Sequence, residues 1–302
     1  MKTWLIAAAV LGLGSVTADA GTIVESRPVP AVVAAVQAAE RGAPVPAPLT
    51  PSLTRLRGDL YSFPAGCEPA QYRLCRLGDT TARRTLVVLG DSHAQMWMPA
   101  LIELAARDHW SLVGLAKVGC VARRWAGLDE CGRWFRWARA QTIALHPQAT
   151  LVIASRAGLA DPRAAVRPID RLSRLLGRHR QRVILLGDAP SQQRDPLECL
   201  PAPGATLAEC TTTGRPVQAR VEAQIAANAR RAEVGYIEAR PWFCAHPGGS
   251  SRAWLCPMVV GRTIAYVDRG HVTQTYVREL TPLLRRAFAR ALARLPRPRD
   301  PE

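Results

Sequence analysis

The chain has 302 residues, of which 48% are hydrophobic, which is enough to bury one substantial core. Its formal net charge is +16, and since Lys2 and Lys117 are the only lysines, 38 of the 40 basic residues are arginine. Two interpretations of this charge stay open: a coding preference for arginine, or a basic surface that attracts anionic glycans or an acidic membrane face. Basic charge without clustering or interleaved aromatic residues does not predict nucleic-acid binding.

The first 20 residues have the pattern of a secretory signal peptide. Lys2 precedes an apolar run over residues 4–16, and residues 18–20 (Ala-Asp-Ala) fit a small-x-small cleavage site. The run is shorter than the roughly 20 apolar residues of a spanning helix, so an uncleaved anchor is the less favoured alternative. We therefore expect residues 1–20 to direct export to the periplasm or the extracellular space. No later stretch of the sequence predicts a membrane-spanning helix.

Residues 21–58 are rich in alanine, valine and proline, a composition typical of a linker or an extended wrap. The prolines should prevent a long helix in this segment. They are Pro28, Pro30, Pro44, Pro46, Pro48 and Pro51. Residues 59–302 are then predicted to form one catalytic domain.

Eight cysteines fall into four pairs of sequence neighbours. The pairs are Cys67 and Cys75, Cys120 and Cys131, Cys199 and Cys210, and Cys244 and Cys256. An even number of cysteines in an exported chain favours disulfides, although eight cysteines allow 105 pairings. Zinc is the weaker alternative, because the sequence has no C-x-x-C pair and His246, close to Cys244, has no second nearby ligand. We predict neither a metal nor another cofactor.

From residue 85 onward, apolar strand patterns alternate with helical ones. Strands are expected near residues 85–89, 111–115, 150–154, 182–187 and 235–238. Such alternation predicts an α/β fold with a central parallel sheet of about five strands, covered by helices on both faces. In this kind of fold the functional groups belong at the carboxyl ends of the strands. After His271, apolar residues at helical spacing predict one closing helix, or two if Pro282 restarts it.

Ser92 occupies a position typical of a nucleophile. Residues 86–89 form an apolar strand, Gly90 permits a sharp turn, and apolar residues at helical spacing follow the serine. The backbone N–H groups at the start of that helix could stabilise a developing oxyanion. This arrangement favours acyl transfer.

A base for this serine is found far downstream, in residues 268–271 (Asp-Arg-Gly-His). The spacing predicts that Asp268 and His271 share one side of a single helical turn, so that the carboxylate can orient the imidazole. The other ring nitrogen would then face Ser92. A D-x-x-H pattern is weak by itself, and the combination with Ser92 is what predicts a catalytic triad.

These motifs resemble the SGNH (GDSL-type) hydrolase superfamily. The similarity lies in residues 90–93 (Gly-Asp-Ser-His), residues 97–101 (Trp-Met-Pro-Ala-Leu) and residues 268–271, and it extends over roughly residues 60 to 295. More narrowly, the chain is similar to the periplasmic SGNH domains fused to family-three membrane acyltransferases, which O-acetylate bacterial surface polysaccharides. The resemblance implies a flavodoxin-like three-layer sandwich. It also implies Ser92 as nucleophile, His271 as general base and Asp268 as its orienting partner.

The sequence departs from this family in its oxyanion donors. The superfamily usually supplies a glycine after the second strand and an asparagine after the third, and this chain lacks the asparagine. Gly119 and Arg156 are substitute candidates beside the N–H of Ser92, but they could equally be a loop glycine and a surface arginine. Asp91, His93 and Asp188 also lie close to strand ends, where we expect them to brace turns or open a helix.

The predicted function is an exported O-acyl (acetyl) transferase or esterase that acts on a bacterial cell-surface polysaccharide. Its partners would be an acyl ester donor and a carbohydrate acceptor, with a separate membrane acyltransferase as a further candidate. Contact with a membrane surface is compatible with this function but not required, and no nucleic-acid partner is expected. A catalytically silent glycan-binding module and a general secreted carboxylesterase are the alternatives.

Overall fold

A computed structural model describes residues 23–24, 27–145, 149–156, 162–179, 181–248 and 253–296. The predicted signal peptide, residues 1–20, lies outside the described residues. The strands are β1 (Ile23–Val24), β2 (Arg76–Gly78), β3 (Arg84–Gly90), β4 (Trp110–Ala116), β5 (Thr150–Ala154), β6 (Arg182–Leu186), β7 (Thr211–Thr213), β8 (Gly235–Ile237), β9 (Leu255–Pro257), β10 (Val259–Val260) and β11 (Thr263–Ile264).

The central sheet has seven strands in the order β1-β8-β6-β5-β3-β4-β2. Every neighbouring pair is parallel except β2 with β4, which is antiparallel. The five strands expected from the sequence form the middle of this sheet, and β1 and β2 extend it at the two edges. Because β3 lies between β4 and β5, the turn that follows β3 is flanked by the ends of two buried strands.

Helices cover both faces of the sheet, which confirms the three-layer α/β fold. They are α1 (Pro30–Glu40), α2 (Ser92–Gln95), α3 (Met98–Arg107), α4 (Glu130–Leu145), α5 (Pro162–Arg178), α6 (Pro196–Cys199), α7 (Pro216–Arg231), α8 (Gln274–Glu279) and α9 (Thr281–Arg294). Helices α1, α3, α8 and α9 pack on one face through a core that includes Val88, and α4, α5 and α7 pack on the other through a core that includes Leu89. Successive side chains of a strand point to opposite faces, so a continuous apolar strand such as β3 serves both cores.

The segment 21–58 is not a free linker where the structure describes it. Residues 30–40 form α1, in which Pro30 occupies the first turn, where its missing N–H costs no hydrogen bond. Val32 and Val36 of this helix are fully buried in the core of the α3 and α9 face, and Leu56 is buried in a smaller cluster. Helix α1 is only 11 residues long and ends before Pro44, and it can form because proline is tolerated at a helix start. A domain boundary at residue 58 remains a prediction.

Proline also divides two helical regions. Pro99 stands in the first turn of α3, so the helical stretch after Ser92 is interrupted at residues 96–97. Pro282 stands in the first turn of α9 and separates it from α8, so the region after His271 forms two helices and not one. Among the described residues, no helix is both long enough and apolar enough to cross a membrane.

All four predicted disulfides are formed. They join Cys67 to Cys75, Cys120 to Cys131, Cys199 to Cys210 and Cys244 to Cys256. Each closes a loop of 8 to 12 residues, a length at which the chain-entropy model gives a stabilisation of about 3 kcal/mol. Four disulfides are typical of an exported protein.

Candidate active site

The turn after β3 is built around a close contact between two strands. A side-chain carbon at Gly90 would lie 1.8 Å from the carbonyl oxygen of Ala154 at the end of β5, so only glycine fits there. Ser92 begins α2 immediately afterwards. The first N–H groups of a helix have no partner within it, so the N–H of Ser92 can face a ligand.

Asp91 fastens this turn to the neighbouring strand. Its carboxylate accepts hydrogen bonds from the His93 N–H (2.7 Å), the Ser155 hydroxyl (2.6 Å) and the Arg156 N–H (3.1 Å). The side chain is fully buried. Asp91 therefore braces the turn, as expected, and it links β3 to the end of β5.

Ser92, His271 and Asp268 form one hydrogen-bonded chain. The Ser92 hydroxyl lies 2.9 Å from His271 Nε2, and His271 Nδ1 lies 2.8 Å from Asp268 Oδ2. A carboxylate can only accept, so Nδ1 carries the ring proton and Nε2 accepts from the hydroxyl. The fold thus brings together three residues that are separated by up to 179 positions in sequence.

The loop that carries this pair is not a helical turn. Asp268 Oδ1 accepts from the N–H groups of Gly270 (2.7 Å) and His271 (2.8 Å), and the Val267 N–H donates to the His271 carbonyl (2.8 Å). The expected proximity of Asp268 and His271 is correct, but its cause is a turn capped by a side chain instead of helical spacing. The same carboxylate holds both the loop and the imidazole.

Burial and hydrogen bonding act in opposite directions on Asp268. Burial by itself would raise its pKa, but hydrogen bonds from the His271 ring and the Gly270 N–H prevail and hold the pKa well below its usual value. The carboxylate therefore stays ionised at neutral pH. Side-chain exposures of 23% for His271 and 35% for Asp268 show that the site is open to solvent.

The two further oxyanion candidates follow the two strands that neighbour β3. Gly119 follows β4 with a φ of +75°, and nothing lies within 4 Å of the place a side-chain carbon would take. Arg156 follows β5, but its N–H is bonded to Asp91, which leaves only its guanidinium for a ligand. The Ser155 hydroxyl is likewise engaged by Asp91. A role for Gly119 and Arg156 in catalysis remains a prediction.

A second histidine–aspartate pair lies directly behind the first. His93 Nδ1 donates to Asp188 Oδ1 at 2.6 Å, and both side chains are almost fully buried. Burial alone would lower the pKa of His93, but the charges of Asp188 and Asp91 outweigh it and raise the pKa above its usual value. The sequence alone predicts no more than local bracing by His93 and Asp188. Asp188 at the end of β6 was the available signal, but its partner could not be recognised before the strand order was known.

The acidic network continues behind Asp188. Glu222 on α7 accepts from the Asp188 N–H (3.2 Å) and from the Tyr236 hydroxyl. Burial, together with the nearby Asp188 charge, raises the pKa of Glu222 to about 7. This glutamate therefore changes its protonation near neutral pH. Within the described ranges, His, Cys, Asp and Glu side chains form no group of three that could hold a metal ion.

The comparisons with known proteins agree with this fold. A family model described as the SGNH domain fused to AT3 domains matches residues 61–286. The periplasmic domain of a lipopolysaccharide acetyltransferase from Salmonella serovar Paratyphi A has a similar structure, with a TM-score of 0.55, 14% identity, and coverage of 78% of this chain and 94% of that one.

Two other solved structures are more distant. A candidate SGNH hydrolase from Slackia heliotrinireducens has a TM-score of 0.43 and 13% identity over 68% of this chain and 98% of that one. A candidate acylhydrolase from Bacteroides fragilis has a TM-score of 0.44 and 13% identity over 72% of this chain and 91% of its own. No curated protein sequence matches significantly. Since the family model matches most of the chain, this protein belongs to the family of SGNH domains of the kind fused to AT3 domains.

Proposed function

We propose that this protein is an exported serine-dependent O-acyl (acetyl) transferase or esterase that acts on a bacterial cell-surface polysaccharide. The observation that carries the proposal is the hydrogen-bonded chain from Ser92 through His271 to Asp268, beyond the carboxyl end of β3. A hydroxyl, an imidazole and an ionised carboxylate in this order are the groups that acyl transfer requires.

In the first half-reaction, Ser92 Oγ forms a bond to the acyl carbonyl carbon while its proton passes to His271 Nε2. Asp268 stabilises the resulting imidazolium, and the Ser92 N–H faces the oxygen that becomes negative. Gly119 and Arg156 are the candidates for a second donor to this oxygen. When the tetrahedral intermediate collapses, the bond to the leaving oxygen breaks, and that oxygen takes the proton from His271.

In the second half-reaction, a hydroxyl group attacks the acyl-Ser92 ester. His271 takes the proton of this hydroxyl and returns it to Ser92 Oγ as the serine leaves. Water as the attacking group gives hydrolysis, and a sugar hydroxyl gives transfer. The outcome depends on how well the acceptor is held and how well water is excluded.

Three observations support a polysaccharide substrate and an exported location. His271 and Asp268 are half-buried and keep part of their side chains open to solvent, as a site for a polymer requires. The four disulfides fit the periplasm or the extracellular space. The structural neighbour from Salmonella is named as part of a lipopolysaccharide acetyltransferase. Because the matching family is fused to AT3 domains, a membrane acyltransferase is the partner that would supply acetyl groups.

The first test is labelling with a fluorophosphonate probe, followed by hydrolysis of a small acetyl ester. Wild-type protein should be labelled at Ser92, and Ser92→Ala should lose both the label and roughly three or more orders of magnitude in turnover. Ser52→Ala removes an exposed serine and is the matched control. A folded Ser92→Ala protein with wild-type turnover, or a wild-type protein that is never labelled, would leave a glycan-binding module as the better interpretation.

A second experiment separates transferase from esterase. The acyl-enzyme formed from a chromogenic acetyl ester is offered increasing concentrations of a cell-surface glycan, while acetylated glycan and free acetate are measured together. A transferase should divert the acetyl group to the glycan, because a bound acceptor competes with water at an effective molarity of ~10⁵ M or more. Constant acetate release without glycan product indicates an esterase.

A further inference from the structure

Helix α5 carries a continuous stripe of arginine. Its five arginines recur at spacings of four, four, three and four residues, which places them on one face of a helix. They are Arg163, Arg167, Arg171, Arg174 and Arg178, and all five are exposed. The opposite face is buried through Val166, Ile169, Leu172 and Leu176. At about 1.5 Å per residue, the stripe follows a helix about 25 Å long.

The whole helical layer around α5 is basic. Helices α4, α5 and α7 together contain eleven arginines and three acidic residues, of which Glu222 is buried. The opposite layer, α1, α3, α8 and α9, contains six arginines and three acidic residues. A general preference for arginine would not favour one layer in this way. Among the helices that cover the sheet, positive charge is therefore concentrated on one side.

Like charges lie close together along the stripe. Among the described residues, Asp170 is the acidic residue of α5, and it pairs with Arg174. Arg167 and Arg171 are neighbours one turn apart, and like charges at this spacing destabilise a helix. An anionic surface placed against the helix would remove this repulsion.

We infer that the arginine face of α5 docks on an anionic phospholipid bilayer. A bilayer is an extended array of phosphates, and it can contact all five arginines along the length of α5 at the same time. Helix α5 contains no aromatic residue, so its arginine face offers no platform for stacking sugar rings. Attraction through arginine alone predicts peripheral, salt-sensitive binding.

This orientation keeps the active site accessible. The arginine stripe lies on a face of the three-layer sandwich, whereas Ser92 and His271 lie at the edge where the parallel strands end. Docking through the α5 face would leave that edge open beside the membrane. A polysaccharide and a membrane-bound acyl donor could then both reach Ser92.

The test is co-sedimentation of the protein with vesicles of phosphatidylglycerol and phosphatidylethanolamine. The variant R167E/R171E/R178E reverses three stripe arginines, and R278E/R286E/R290E reverses three exposed arginines of the opposite layer with the same change in net charge. We expect wild-type binding at low salt that disappears at high salt, and at least a ~tenfold weaker partition for the α5 variant only. Unchanged turnover of a soluble acetyl ester would show that both variants are folded.

Three results would overturn the inference. If wild-type protein does not bind these vesicles at low salt, the arginine face of α5 does not dock on anionic phospholipid. Equal weakening by the two variants would assign the effect to net charge and not to the α5 face. Tighter binding to soluble dextran sulfate than to vesicles, lost in the α5 variant, would assign the face to anionic glycans.

Discussion

His93 lies beneath the loop that carries His271, and the two imidazole rings are 5.1 Å apart. A side-chain carbon at Gly270 would be 3.8 Å from the His93 ring, which is ordinary contact distance. His93 is in turn held by Asp188, at the end of another strand. The catalytic loop therefore rests on a second, buried histidine–aspartate pair.

Asp188→Asn should destabilise the protein, because it removes one partner of a buried ion pair. We expect a loss of about 3–5 kcal/mol in the free energy of unfolding at neutral pH. The pKa of His93 is raised in the folded state. The ion pair of His93 with Asp188 therefore stabilises the protein fully below pH 6.5, the usual pKa of histidine, and this stabilisation is lost as the pH rises through the folded-state pKa. The difference between wild type and variant should therefore shrink at alkaline pH. Denaturant unfolding across pH measures it, and a difference that grows with pH would contradict this assignment.

Glu222→Gln should stabilise the protein at high pH relative to wild type. The folded pKa of about 7 exceeds the usual 4.5, so wild-type stability falls as pH rises from 4.5 through 7. A shift of this size corresponds to about 3 kcal/mol, and a glutamine cannot ionise. The stability of the variant relative to wild type should rise across this window in urea unfolding. Parallel stability curves would show that Glu222 does not titrate there.

Asp268→Asn should reduce ester hydrolysis by about 10³–10⁴-fold, because the amide no longer stabilises the imidazolium of His271. Its side-chain oxygen can still accept from the Gly270 N–H, so the loop should keep its shape. Steady-state turnover of an acetyl ester measures the loss, and the melting temperature tests the fold. Asp195→Asn, which alters an aspartate bonded to Arg57, is a control that should keep wild-type turnover. Activity of Asp268→Asn within tenfold of wild type would exclude the triad.

The double variant C120S/C131S should lose activity as well as stability, since this disulfide adjoins the Gly119 turn. The variant C199S/C210S opens a loop of the same sequence separation, 11 residues, and is its matched control. Both should lose about 3 kcal/mol of stability in the chain-entropy model. Ester hydrolysis by the two folded variants is compared at a temperature below both transitions. Equal activity would argue against Gly119 as an oxyanion donor.

The sequence was sufficient to predict the middle of the sheet, the disulfides and the residues of the candidate triad. Each of these has a local signature. Strand β3 is a continuous apolar run, each cysteine has a near neighbour, and Asp268 and His271 are three positions apart. Residues close in sequence stay close in space in any fold, so their proximity can be predicted without knowing the tertiary structure.

The packing of α1 and the buried His93–Asp188 pair depended on the tertiary structure. Pro30 favours both a helix start and an extended segment, and only the apolar surface beside Val32 decides between them. His93 and Asp188 are 95 positions apart, and their contact follows from the order of the strands. The sequence by itself determined which chemical groups the site contains. The tertiary structure decided which of these groups are in contact and which are buried away from solvent, because burial and long-range contacts exist only once the sheet is assembled.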